Sequence, residues 1–208
     1  MADYIANYNP VTKTSSSIYS PDIITKVDAA TGRTVINFIR AVTGNVSSQK
    51  TSGFDASIKL RVPKTAVGDF TLGMEGTYLG SQKSRTGVGS VESENVGQYA
   101  TFGPVVRFKH TTSVAWDSGP WNAYLGYNWQ SAYQDQGGTR EVSPYETFDT
   151  ALTWSGIKNL KVKLGVRNLT DRHPPFTIQN AYFQVGFDPT YVDPRGRTYR
   201  AALEYKFK

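Results

Sequence analysis

Seven stretches of the 208-residue chain alternate apolar and polar side chains with period two. In the last of them Tyr199, Ala201, Leu203, Tyr205 and Phe207 share one side, while Arg200, Glu204 and Lys206 share the other. Successive side chains of a β-strand point to opposite faces, so the pattern predicts strands with one greasy and one polar surface. Phe54 to Val62, Phe70 to Tyr78, Val106 to Asp117, Trp121 to Gln130, Phe148 to Trp154 and Leu160 to Arg167 read the same way. All fourteen Asp, Glu, Lys and Arg residues inside the seven stretches fall on one face, nine basic and five acidic. His110 is the one ionisable group on the greasy side, and it is expected to be hydrogen-bonded within the sheet rather than to act as a ligand or catalyst.

Between the stretches, short and long connections alternate. Turns are expected at 63–69, where Pro63 opens the turn, at 118–120 and at 156–159; polar loops are expected at 80–103, 131–146 and about 171–196. Residues 1–50 are less regular, with two weak strands, Ile23 to Val27 and Thr34 to Ala41, joined by a hairpin turn at 30–33. The domain reading is therefore an irregular region, 1–50, followed by a sheet, 51–208. The expected fold class is all-β, an antiparallel meander of about 7 to 9 long strands.

An apolar strand face commonly forms the inside of a sandwich, but three features point to lipid. The stretches run to roughly 9–13 residues, the span of a tilted membrane strand, where sandwich strands are usually about 5 or 6. Rings crowd both ends of the greasy face: Phe70, Trp116, Trp121, Trp154 and Phe207 by the short turns, Tyr78, Trp129, Phe148 and Tyr199 toward the long loops. The opposite face holds the charges, which a watery or plugged lumen accepts.

Composition narrows the alternatives. Only 38% of residues are hydrophobic and 13% aromatic, and no run approaches the length of a transmembrane helix, so insertion would have to be as a barrel. The absence of cysteine removes disulfides, thiol nucleophiles and Cys-based metal sites. A net charge of +6 is dispersed rather than clustered, so nucleic acid is not an expected partner. His173 lies beside Asp171 with no nucleophile in a recognisable setting, and no enzyme activity or cofactor is expected.

The segments Lys161 to Phe176 (KVKLGVRNLTDRHPPF), Phe183 to Pro189 (FQVGFDP) and Asp193 to Tyr199 (DPRGRTY) resemble the C-terminal end of TonB-dependent outer-membrane receptors. Thr51 to Asp55, Phe70 to Met74 and Gly119 to Trp121 sit in the order that family shows, so the resemblance covers about 50–208 and is most specific over 160–199. It implies a partial segment of a transmembrane β-barrel of about 22 strands with a plugged lumen. Location in the bacterial outer membrane, contact with its lipid, and energy-coupled import of a scarce ligand, a siderophore complex, cobalamin or an oligosaccharide, follow from the same resemblance.

The last strand also resembles the signal read by the barrel-assembly machinery, here Arg200, Ala202, Tyr205 and Phe207; Ala stands where Gly is usual, and Lys208 follows the final aromatic. Family members carry a signal peptide, a TonB-contacting box and a plug domain, none of which this sequence shows. The chain thus reads as the C-terminal part of a receptor that relies on the rest of that receptor, plug included, and reaches TonB only through the missing N-terminal region. By itself it is expected to transport nothing. Ligand-contact candidates lie in the loop 171–196, namely Phe176, Tyr182, Phe183, Tyr191, Asp188 and Arg195, although its Pro-rich turns also predict rings packed within the loop. A self-contained eight-stranded barrel, recognisable by pairing of its first and last strands, and a soluble carbohydrate-binding sandwich are the alternatives.

Overall fold

The computed structural model describes residues 8–9, 14–15, 22–40, 47–85, 90–101, 103–180 and 186–207, without the side chains of 8–9, 14–15, 22–26, 34–40 and 63–64. The chain divides into two compact units, residues 1–49 with 84–93, and residues 50–83 with 94–208. In the first, β1 (Tyr8–Asn9) pairs with β2 (Thr14–Ser15), and β3 (Asp22–Val27) pairs antiparallel with β4 (Thr34–Arg40). The β3–β4 turn closes through the Asp28 and Arg33 backbones, with Gly32 at a φ of 65° and the Asp28 carboxylate accepting from the Thr31 hydroxyl at 2.5 Å.

The second unit is built on seven long strands. After β5 (Ser48–Thr65) and β6 (Gly68–Arg85) come the short β7 (Ser93–Glu94), β8 (Gln98–Ala100) and β9 (Gly103–Val105). The long β10 (Phe108–Ser118) and β11 (Trp121–Gln130) follow, then the short β12 (Tyr133–Gln134) and β13 (Glu141–Val142), and finally β14 (Tyr145–Ile157), β15 (Leu160–Arg167) and β16 (Thr198–Tyr205). The main sheet runs β16-β15-β14-β11-β10-β6-β5, with antiparallel pairing from β6 through β16. It is not closed: β5 and β16 are its two edges. Among the described residues β16 pairs with β15 alone, so the first-to-last pairing of a self-contained barrel is not what this sheet shows.

Two-residue turns join the long strands at one end. Gly119 has a φ of 55° between β10 and β11, and Asn159 a φ of 66° between β14 and β15, the conformations that tight hairpins demand. At the β5–β6 turn the expectation for 63–69 is corrected: the turn is only 66–67, and Pro63 lies within β5. Proline cannot donate to a sheet ladder, but an edge strand has a side on which no donor is needed. β5 and β6 are also longer than the hydropathy pattern predicts, at 18 residues each. Past Tyr78 their side chains turn polar on both faces, which erases the period-two signal while the backbone stays paired.

Register stacks the rings into bands. Phe70 lies opposite Trp116, and Trp121 opposite Trp154, with those two indoles 6.3 Å apart at the turn end. Trp116 donates its indole N–H to the Val67 carbonyl at 2.8 Å, tying this band to the β5–β6 turn. Toward the loops Tyr78 faces Phe108, His110 faces Trp129, and Tyr127 faces Phe148. His110 stacks between Phe108 and Trp129 and lies within 3.2 Å of the Thr112 hydroxyl through Nδ1. Phe70 and Tyr78 are eight residues apart, about 27 Å along the strand at ~3.4 Å per residue, or about 20 Å of height at a tilt of ~40°. The band between holds Leu72, Val114 and Leu125 in register.

Among the described residues of this unit no second layer covers this face. Trp121, Leu152 and Leu203 are 42%, 39% and 72% exposed, whereas a sandwich interior would bury all three. Buried side chains gather instead in the connections at the other end. There the expected polar loops 80–103 and 131–146 are corrected: they contain a four-stranded sheet, β13-β12-β8-β9, with β12 parallel to β8. Val106, assigned to the greasy strand face by its parity, precedes β10 and packs with Tyr133 and Val142 against Tyr99. These apolar residues are too sparse to register as a period. β14 likewise begins at Tyr145, which brings Glu146 onto the greasy-face parity, where the Tyr127 hydroxyl donates to it at 2.7 Å.

Candidate functional site

The polar face of the main sheet and the loop after β15 border a half-open hollow of about 730 Å³. Its floor is a hydrogen-bonded strip running across strands. Thr77 donates to Asp55 at 2.6 Å, and Thr111 donates to the Asn128 carbonyl oxygen at 2.9 Å. The Asn128 amide then donates to Thr147 at 3.4 Å and Asp149 at 3.0 Å. Cross-strand neighbours of short polar side chains meet because opposed Cβ atoms in an antiparallel pair sit about 5 Å apart. The lining carries Asp55, Glu75, Asp149 and Asp193 against Lys109 and Arg167, an excess of carboxylate.

The roof is anchored at its root by residues in the left-handed region. Asn168, at φ 52°, receives the Arg172 N–H at 2.8 Å and donates its amide to the Arg172 carbonyl at 2.9 Å, and its own N–H reaches Asp149 at 2.8 Å. Asp171, at φ 56°, accepts the Arg197 N–H at 2.8 Å, so the loop's two ends are tied together. Further out, buried Asp135 accepts the Thr177 hydroxyl and the Ile178 N–H, the latter at 3.0 Å. Gln136 and Asn180 exchange two hydrogen bonds at 2.9 and 3.0 Å. Burial, helped by the charge of Asp188, pushes the Tyr133 phenol up to about 12 and raises Tyr191 for the same two reasons. Both phenols are therefore neutral at physiological pH.

The structure separates the loop residues singled out by sequence. Tyr191 lines the hollow and is 38% exposed. Phe176 is exposed, with the Arg140 guanidinium 4.7 Å above its ring. Asp188 is buried, and one carboxylate oxygen takes both the N–H (2.8 Å) and the hydroxyl of Thr190, which shapes the turn. Arg195 forms a fork on Asp193, Nε to Oδ1 at 2.8 Å and the terminal nitrogen to Oδ2 at 2.5 Å, and this hydrogen bonding holds the Asp193 carboxyl far below the usual range. Tyr182 and Phe183 lie outside the described residues. On β16, Arg200 and Ala202 pair with Gly165 and Lys163, and Tyr205 meets exposed Phe207 edge to face at 4.9 Å.

Asn128 and Asp149, which organise the floor, and Asn168 at the root of the roof escape a sequence reading centred on rings in loops. The available signal was modest: Asn directly after a strand tolerates positive φ, and Asp135 precedes a Gly-rich turn.

An open antiparallel sheet with an exposed ring-banded face on one side and a polar hollow beneath a loop on the other is a section of transmembrane β-barrel wall. The chain belongs to the TonB-dependent receptor β-barrel family: the family model described as "TonB dependent receptor-like, beta-barrel" matches residues 9–169. That match takes in the weakly patterned residues 9–50 and stops just after β15, so it shares only 160–169 with the segment 160–199 where the resemblance read from sequence motifs is most specific. Barrels of this family are receptor and transport proteins of the bacterial outer membrane that work with a plug and with TonB, not enzymes. No curated protein and no solved structure gives a significant match.

Proposed function

We propose that this chain supplies wall strands and outer loops to a receptor for the energy-coupled import of a scarce ligand, a siderophore complex, cobalamin or an oligosaccharide. The observation that carries the reading is the roofed polar hollow, set on the opposite face from the exposed apolar band. A wall segment built this way faces lipid outward and an aqueous path inward. Tyr191 and the Asp193–Arg195 fork stand at the hollow and its roof, so they are the first candidates for ligand contact, with Phe176 on the outer surface of the loop. Arg200, Ala202, Tyr205 and Phe207 serve the barrel-assembly machinery during insertion.

Uptake of three probes, a ferric catecholate siderophore, cyanocobalamin and maltoheptaose, tests the proposal in cells with and without the coding region. Uptake of one probe is expected to fall on deletion, to be abolished by a protonophore, and to drop several-fold in Tyr191→Ala at unchanged receptor abundance. Unaltered uptake of all three on deletion would overturn the transport reading.

A further inference from the structure

The outward face is not smooth. Over β5 and β6 it holds a second hollow of about 440 Å³, lined by Phe54, Ala56, Ile58, Met74, Gly76, Tyr78 and Phe108. Ala56 and Gly76 make its floor, the smallest side chains of the set. Gly76 lies opposite His110, and a Cβ there would come within 3.1 Å of the His110 Cβ and 3.2 Å of the Phe108 ring, so a side chain would fit only if these neighbours gave by a few tenths of an ångström. At the loop end the hollow is bounded by the stacked Phe54 and Tyr78 rings, 5.3 Å between centroids, and by Phe108. At the other end stand Ile58 and Met74, 68% and 43% exposed.

We propose that this hollow binds one acyl chain of an outer-leaflet lipid. The Tyr78 hydroxyl is the one polar side-chain group in its lining, so water entering it would lack the partners that hold a buried water. An empty concavity forfeits dispersion contacts along its walls. The hollow is continuous with the lipid-facing band, and the occupant available at that depth is hydrocarbon. Its lining runs along β5 from Phe54 to Ile58 and along β6 from Met74 to Tyr78, whose ring belongs to the girdle toward the loops. An acyl chain entering from the outer leaflet would pass that girdle to reach Ala56 and Gly76. A strand added to the free edge of β5 would flank the hollow without filling its floor.

The inference rests on the membrane-wall reading, and the test separates the two. The full chain is inserted into phosphatidylcholine vesicles doped with a phosphatidylcholine that carries a photoreactive diazirine on its acyl chain, and labelled peptides are mapped. Labelling of the segments around Ala56 and Met74 is expected to exceed that around Leu125 and Leu152 several-fold. Ala56→Phe, a substitution on an exposed face, is expected to abolish the excess, and Leu125→Phe to leave it intact. Uniform labelling along the band would overturn the inference, as would an excess that survives Ala56→Phe. A dimer that Ala56→Phe dissociates would assign the hollow to a second copy instead. Absence of labelling anywhere would sink the membrane-wall reading and this site with it.

Discussion

Adjacent residues of one strand occupy different solvents, and β15 shows the consequence most plainly. Lys163 points to the polar side, where its ammonium lies 3.2 Å from Glu204, while Leu164 stands 52% exposed on the greasy side. Lys163→Leu is expected to cost no more than about 1 kcal/mol, the worth of an exposed ion pair. Leu164→Lys places a charge in hydrocarbon and is expected to cost about 2–4 kcal/mol near midplane. Urea titration of vesicle-inserted protein reads both; equal tolerance would refute the assigned facing. Outside the band, the Glu94 carboxylate accepts from the Ser81 hydroxyl at 2.5 Å and from the Gln82 and Val96 N–H groups at 2.8 and 3.1 Å. The Ser81 bond first, then the backbone bonds, lower its pKa from the usual 4.5 to about 2. A lowered folded pKa contributes stability that is full above about 4.5 and lost as pH falls through about 2. Amide exchange at Gln82 and Val96 is therefore expected to stay slow at pH 3.5 and to accelerate below pH ~2, and Glu94→Gln to accelerate it at neutral pH.

Whole elements differ in how far the chain announced them. β10, β11, β14, β15 and β16 are legible because their two faces meet unlike environments, so every second residue carries information. The outer halves of β5 and β6 carry mostly polar side chains at both parities, and β8, β9, β12 and β13 are only two or three residues long, too short for any period. The roof depends on single residues rather than pattern. Asn168 holds a positive φ and three hydrogen bonds at the loop root. Asn168→Ala is expected to loosen the loop by about 1–3 kcal/mol, through strain and unmade bonds. Faster protease cleavage within 171–197 with unchanged strand content checks it. Asn168→Gly, which keeps the backbone freedom, is expected to lose less.

At the scale of the whole molecule, all four tryptophans, Trp116, Trp121, Trp129 and Trp154, fall on the lipid-facing parity. Vesicles with brominated acyl chains are thus expected to quench most of the intrinsic tryptophan emission, and iodide in the aqueous phase to quench little. A soluble sandwich would give the reverse. What the sequence determined by itself was the two-faced sheet, its ring bands and its short turns, because local alternation needs only a strand's geometry and two solvents. Only the tertiary structure decided that the sheet stays open at β5 and β16, that the loops bury a compact apolar cluster, and that a polar hollow forms beneath the loop after β15. Those features depend on contacts between residues far apart in the chain, such as Asp135 with Thr177 and Asp171 with Arg197, whose partners no local pattern can name.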